Sequence, residues 1–258
     1  MYEEFYDKQY SRDQYARTLK MEQHAFYKVL RGYISKYDEK YFGKEKVKCL
    51  EIGSGRGALQ DIVEDYTGVD YASTVEPYYH KKFVNASATK LPFKDGTFDL
   101  IWSYAVLEHI PDLELALEEM LRVVCGGGHL ILSPAWHCRP WAAEGYQVRP
   151  YSDFKLKGKI YKFFIPVLDS LPLRALGQLP PRIAAWIKLK FRKRPLKLQY
   201  KKLRANYERF WQSDSDACNA LDPLLMIYWF ESRGYNCVSH TTFLSRLLIR
   251  HGEIDIQC

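Results

Sequence analysis

The sequence predicts an α/β protein built on a doubly wound parallel sheet, and three observations predict it. A strand-like run, Val47-Lys48-Cys49-Leu50-Glu51-Ile52, feeds directly into Gly53-Ser54-Gly55-Arg56-Gly57. The next short apolar segment ends on a carboxylate, Asp70. Strand-like and helix-like stretches then alternate as far as residue 133. Apolar strand, glycine turn, helix and terminal carboxylate is the order in which such a sheet builds a cofactor cleft. The glycines allow positive φ and close backbone approach, and a carboxylate ending the second strand can accept from both hydroxyls of a ribose.

Taken in order, residues 1–46 are rich in tyrosine and predict a helical segment, with a helix over about Arg12 to Ser35. Strands are expected near 47–52, 67–70, 82–85, 98–104 and 129–133, and helices near 57–65 and 113–124. The core therefore reads as 47–140, and it resumes over 214–258 after an insertion at 141–213. In the last part, Asp222-Pro223 is a cap followed by proline at the first helical position. That helix runs through Trp229-Phe230-Glu231-Ser232-Arg233 and stops at Gly234, and two strand-like runs follow, Tyr235–Thr242 and Leu244–Arg250.

The glycine turn continues into Leu91-Pro92-Phe93-Lys94-Asp95-Gly96-Thr97-Phe98-Asp99 and Leu107-Glu108-His109. On these residues the stretch from about Val47 to Pro134 resembles the catalytic core of the class I S-adenosylmethionine-dependent methyltransferases, in the subgroup with "LPF…FD" and "LEH" motifs. The resemblance implies a seven-stranded, mostly parallel sheet with an antiparallel hairpin at one edge. It also implies S-adenosyl-L-methionine across the carboxyl ends of the first strands. By position it assigns Glu51, Gly53, Gly55 and Gly57 to the first cofactor motif and Asp70 to the ribose. Ser87 and Ala88 fall at the adenine, and Tyr104 joins the cofactor set. Ser87 stands where the family usually has an aspartate, but a serine oxygen still accepts a hydrogen bond. Such an N-terminal segment acts in the family as a lid, which would bring Tyr6 or Tyr10 toward the substrate.

Methyl transfer from a sulfonium is an in-line displacement, so the protein has mainly to align the reactants and exclude water. A base is needed when the nucleophile is a neutral hydroxyl. The candidates are His137 and His109, with His80 behind them. His109 reads more readily as a group that holds Glu108 and the start of the next helix. His137 lies in Pro134-Ala135-Trp136-His137-Cys138-Arg139-Pro140-Trp141, just past the fifth strand, where open α/β sheets carry their clefts. Trp136 and Trp141 offer a platform for a ring, and Arg139 suits a phosphate or carboxylate. A rigid loop that plugs the insertion onto the core would use the same residues.

At 258 residues and 47% hydrophobic, the chain can bury the core of one large domain with an insertion. Its six cysteines form no CxxC pair, which favours a reducing, cytoplasmic setting and no structural metal. No apolar run approaches the ~18 residues of a membrane span. Between Lys155 and Arg209 there are sixteen Lys or Arg against Asp169 and Glu208, a local charge of +14 that leaves about −7 for the rest. Aromatic and aliphatic residues interleave with these cations, as in Ile160–Leu168 and Ile183–Arg194. This pattern suits an anionic membrane surface or an anionic substrate. It also suits a cap helix with its apolar side inward and its lysines in water. Nucleic acid is disfavoured by the lack of a recognised binding motif.

Three functions are compatible with these residues. The first is methyl transfer to an oxygen, or alternatively a nitrogen or carbon, of a small molecule, glycan or lipid-linked precursor. The second is a catalytically silent methyltransferase-like module that binds a membrane or partner through its basic insertion. The third, a dinucleotide-dependent oxidoreductase, is disfavoured because Gly53-x-Gly55-x-Gly57 lacks the GxGxxG spacing.

Overall fold

A computed structural model describes residues 2–11, 20–42, 46–191 and 195–258. Its main sheet has seven strands: β1 (Cys49–Ile52), β2 (Tyr66–Asp70), β3 (Lys82–Asn85), β4 (Phe98–Tyr104), β5 (Val124–Ser133), β8 (Asn236–Cys237) and β9 (Ile254–Gln257). They are ordered β3-β2-β1-β4-β5-β9-β8. From β3 to β5 every pairing is parallel, and β9 then runs antiparallel to β5. The order reverses between β1 and β4, and in open α/β sheets that switch point is where a ligand site opens. Strands β1, β2 and most of β4 are buried along their length, as parallel strands covered on both faces must be.

The chain divides into two compact units, Met1–Pro134 with Glu253–Cys258, and Ala135–Gly252. The division falls earlier than the expected insertion boundary at 141, and residues 214–252 go with the second unit. In the first unit lie α1 (Tyr2–Ser11), α2 (Tyr27–Phe42) and α3 (Leu113–Val123). The expected helix at 12–35 is not continuous. Residues 12–19 lie outside the described residues, a short 3-10 turn occupies Met21–Gln23, and α2 continues past Ser35 to Phe42. Phe26 and Leu30 pack with Cys49, Leu59, Tyr66 and Trp102 in the core, so this part of the expected lid is core. Tyr37 on α2 donates to Asp255 on β9, which also bonds the Nδ1 of His129 at 2.9 Å.

Between β1 and β2 the expected helix at 57–65 is absent, and the chain runs through successive turns. Their bonds are of the tighter i→i+3 kind, Gly57 to Ser54, Gln60 to Gly57 and Ile62 to Leu59. Lys81 Nζ takes the Val63 carbonyl at 2.5 Å, and the Gln60 side chain is spent on Tyr78, His80 and Lys81. Backbone groups that a helix would pair internally are thus drawn to the β2–β3 connection.

The "LPF…D" stretch is held by one guanidinium. Arg122 on α3 donates to the carbonyls of Leu91 (2.9 Å) and Phe93 (2.7 Å), to Asp95 (2.8 Å) and to Glu119 (2.7 Å). Glu119 in turn accepts from the Leu91 N–H at 2.7 Å. The motif is therefore a clamp between α3 and the approach to β4.

The second unit contains α4 (Leu156–Leu168), α5 (Leu171–Phe191), α6 (Pro223–Glu231) and α7 (Phe243–Leu248), with a two-stranded ribbon of β6 (Lys201–Lys202) and β7 (Asn219–Ala220). Asp222 caps α6 as expected, accepting from Leu224 N and Leu225 N. The strand-like run Leu244–Arg250 is instead largely α7, because Thr242 caps it by accepting from Ser245 N at 3.1 Å. Only Asn236–Cys237 of the run Tyr235–Thr242 is strand.

Replacing Arg122 with Ala should remove the clamp and cost about 2–3 kcal/mol in urea unfolding, as for hydrogen bonds to charged partners. Arg122→Lys should recover little, because an ammonium cannot reproduce the planar fork.

Candidate active site

Within the first unit a cavity of about 300 Å³ opens where the strands end, at the lower limit of small-molecule pockets. Its walls come from the carboxyl ends of β1 (Ile52, Gly53), β2 (Val69, Asp70, Tyr71) and β4 (Ala105, Val106), and from residues 86–89 after β3. Residues 109–112 and Tyr6 of α1 complete it.

The glycine turn is fixed by three features. Gly53, Gly55 and Gly57 all have positive φ, at 70°, 51° and 67°. The N–H groups of Gly53 and Ser54 both reach the Val69 carbonyl, at 2.8 and 3.0 Å, tying the end of β1 to β2. A side chain at Gly53 would meet Val106 Cγ2 at 2.2 Å, so only glycine fits there.

Asp70 accepts from Gly55 N at 2.8 Å and from Ala72 N at 2.9 Å. Burial pushes its pKa up to about 6, against the pull of those backbone N–H groups. Glu51 is buried beside this wall without lining it. It accepts from the Tyr66 hydroxyl at 2.5 Å, and burial pushes its pKa up to about 7. The Tyr79 hydroxyl donates within 2.7 Å of Ser54 Oγ and 2.8 Å of the Gly55 carbonyl, and its ring packs where a Gly57 side chain would be.

Of the expected cofactor residues, Gly53, Asp70, Ser87 and Ala88 line one cavity. Glu51, Gly55 and Gly57 stand behind its wall. Tyr104 does not line it: its ring stacks on Phe26 at 5.1 Å. Ser87 Oγ pairs with Thr89 Oγ1 at 2.7 Å, so the expected adenine end carries two hydroxyls in place of the family's usual carboxylate. Tyr71, Thr89, Val106 and Asp112 also line the cavity and were not singled out in the sequence. Each lies within two residues of an assigned position or in the segment that follows "LEH", and adjacency was the only signal for them.

These residues fit the ligand that the sequence implies. Asp70 would accept from ribose hydroxyls, the Gly53 turn would admit the amino-acid end, and Ser87 with Thr89 would face the adenine. His109 lines the cavity, with Nε2 3.7 Å from Glu108 Oε1 and its ring edge-on to Tyr6 at 6.4 Å. Tyr6 is therefore at the site, while the side chain of Tyr10 lies outside the described residues.

The other candidate loop belongs to the second unit. Trp136 is buried and donates Nε1–H to the Gly252 carbonyl at 2.6 Å. Arg139 pairs with Asp169 at 2.8 Å, donates to the His137 carbonyl and lies 5.8 Å from the Trp141 ring. Trp141 is buried. His137 sits at φ 59° with its N–H on the Leu221 carbonyl, and its Nε2 has no partner among the described residues. Burial, then Arg182, Arg139 and Arg174, push its pKa down to about 3, leaving an unprotonated acceptor at physiological pH. His80 is exposed and pairs with Asp61 at 2.8 Å.

Asp70→Ala should weaken S-adenosylmethionine binding by on the order of 1–3 kcal/mol in calorimetry. Below about pH 6 the Asp70 carboxyl takes up a proton and loses acceptor capacity, so wild-type affinity should fall as pH drops through that value. Asp70→Asn should bind weakly and without that step. Gly53→Ala should both clash and strain the backbone. Adding Val106→Ala should relieve the worst of the clash but not all of it, because Val106 Cβ itself lies 2.9 Å from the added carbon. The positive-φ cost of roughly 1–2 kcal/mol then remains on top, read by urea unfolding.

The chain is similar to known methyltransferases. The methyltransferase domain family matches residues 50–132, from β1 to β5. A ubiquinone biosynthesis O-methyltransferase of Pectobacterium carotovorum is 30% identical over 173 residues, 55% of this chain and 68% of that protein. A chloroplastic tocopherol O-methyltransferase of Arabidopsis thaliana is 32% identical over 135 residues, 52% of this chain and 36% of that protein. A sterol 4-C-methyltransferase of Caenorhabditis elegans is 33% identical over 109 residues, 36% of this chain and 33% of that protein. The match thus spans only about a third of the length of the last two relatives. With the glycine turn and Asp70 at the ends of adjacent parallel strands, and the ubiquinone biosynthesis O-methyltransferase matched over two thirds of its length, the chain belongs to the class I S-adenosylmethionine-dependent methyltransferases.

Proposed function

We propose that the protein transfers the methyl group of S-adenosyl-L-methionine to a hydroxyl oxygen of a small lipophilic or lipid-linked acceptor. The observation that carries the reading is the cavity itself: Gly53, Asp70, Ser87 and His109 converge at the carboxyl ends of β1 to β4. The bound cofactor supplies a sulfonium-activated methyl group. The chain's own part is to bind and align. Asp70 accepts from the ribose, the Gly53 turn admits close approach, and apolar Val106, Ile110 and Pro111 keep water from the reacting end.

His109 is the histidine on the cavity wall that can accept a proton from an acceptor hydroxyl, with the Asp112 carboxylate on the same wall. His137, the second candidate, is not among the cavity's lining residues. The relatives named for tocopherol and ubiquinone biosynthesis support an acceptor with a ring hydroxyl on an apolar body. The sterol 4-C-methyltransferase keeps carbon as the alternative nucleophile. Among the described residues no helix is long and apolar enough to cross a membrane. A reducing cytoplasmic setting suits six cysteines with no CxxC spacing, and a lipid-linked acceptor fits a peripheral position on the inner face of a membrane. The second reading is a silent module that binds the cofactor and uses its basic helices to hold a partner.

Transfer of a tritiated methyl group to a panel of prenylated hydroquinones, sterols and lipid-linked sugars tests both readings. Labelled product with at least one acceptor supports catalysis, and tight cofactor binding with no product from any of them favours the silent module. With an acceptor in hand, loss of the histidine base should lower kcat by roughly 10²–10⁴ while cofactor affinity holds. His109→Ala is the expected casualty. If His137→Ala is the inactive one, the roles are exchanged, and if both variants remain active no histidine base operates.

A further inference from the structure

Most of the large apolar side chains that the protein leaves exposed lie on α4, α5 and α7 of the second unit. On α4 they are Leu156, Ile160, Phe163, Phe164, Val167 and Leu168. At 3.6 residues per turn, these positions form one continuous stripe. The opposite side, through Gly158, Tyr161 and Ile165, is the one that is covered. On α5, Leu176, Leu179, Ile183, Ile187 and Phe191 recur at intervals of three and four and make a second outward stripe. Phe163 and Leu176 are each 67% exposed and Phe191 is 80%. A solvated cap helix would have these apolar residues inside, whereas here they are exposed together with the lysines beside them.

The charges complete the pattern. Neither α4 nor α5 contains an Asp or Glu. Lys155, Lys157 and Lys159 are exposed, border the α4 stripe and form no ion pair among the described residues. Lys190 lies 4.9 Å over the Trp186 ring near the end of α5, and Arg192-Lys193-Arg194 follow in sequence outside the described residues. The outward orientation is locked from within. Buried Arg182 of α5 bonds Asp222 at 2.8 Å and the carbonyls of Leu247 and Ile249 at 2.7 and 2.8 Å.

We infer that α4 and α5 form an in-plane anchor whose apolar stripes enter the headgroup region of an anionic lipid bilayer, with the flanking lysines on the phosphates. Long lysine stems reach back to the headgroup level while the apolar side chains go deeper. A second copy of the chain is a poor occupant, because its matching face would bring the same cations and no acid. This assignment does not depend on the identity of the methyl acceptor.

Flotation of the whole protein with phosphatidylcholine vesicles, with and without phosphatidylglycerol, at low and high salt, tests the anchor. Binding is expected to the anionic vesicles at low salt and to weaken as salt screens the attraction. Each lysine near such a surface is worth roughly fivefold in partitioning, so the triple variant K155Q/K157Q/K159Q should lose roughly a hundredfold. Leu176→Glu with Ile183→Glu and Ile187→Glu should abolish flotation while S-adenosylmethionine binding and the melting transition stay as in the wild type. Should that triple variant fail to fold, Phe163→Gln with Phe164→Gln on α4 gives an independent reading of the same loss. No flotation on anionic vesicles at low salt overturns the inference. So does flotation that the apolar variants leave unchanged, or self-association through this face in place of vesicle binding.

Discussion

The Asp70 carboxylate accepts from the N–H of Gly55 on one oxygen and of Ala72 on the other, and the site rests on that arrangement. It joins the glycine turn after β1 to the end of β2, so the backbone that must admit the cofactor is held by the group that must bind its ribose. The rest of the wall follows from this tie. Gly53 and Ser54 share the Val69 carbonyl, Tyr79 closes on Ser54 and Gly55, and Tyr66 donates a hydrogen bond to Glu51 behind them. The chain tolerates three residues of positive φ in five positions because all three are glycine.

Holding two carboxylates here has a cost whose sign can be worked out. Burial raises Glu51 to about 7 and Asp70 to about 6, both above ordinary carboxylate values. Between about pH 4 and pH 7 the folded chain therefore binds more protons than the unfolded chain, and stability falls as pH rises through that window. At neutral pH these groups oppose folding, unlike a salt-bridged acid. Such a destabilised ionised group is what a ligand offering hydroxyl donors can relieve, which is consistent with Asp70 facing the cavity and Glu51 bracing the strand behind it.

How legible each part was in the sequence followed from where its constraints come from. The glycine turn, Asp70, the cap at Asp222 and strands β1 to β4 are set by local chemistry, and the residues declared them. The stretch 57–65 has helical composition, but the Val63 carbonyl is taken by Lys81 and the Gln60 side chain is spent on the backbone of His80, contacts that no local pattern carries. Ile254–Gln257 alternates as a strand should, yet its polar member, Asp255, is fully buried on Tyr37 and His129. Tyr104 is a related case: it ends a strand at the level of the cavity, but its ring stacks on Phe26 and does not line the cavity. The "LPF" stretch was visible as a pattern, while its purpose as the target of Arg122 needed the fold.

The second unit carries a different lesson about apolar residues. Hydrophobic periodicity in α4 and α5 says that each helix has an apolar side, and it leaves open which way that side points. Arg182 decides the matter for α5. A buried guanidinium is costly to desolvate, and a well-packed apolar residue in its place is often no less stable. What Arg182 supplies is orientation, since its fork meets one carboxylate and two carbonyls at once and no rotated helix could satisfy them. Turning α5 to bury Ile183 and Ile187 would strand that charge, and the penalty for an unpaired buried guanidinium exceeds what the burial of two aliphatic side chains returns. The apolar stripe faces outward because the polar partner of the same helix is fixed inward.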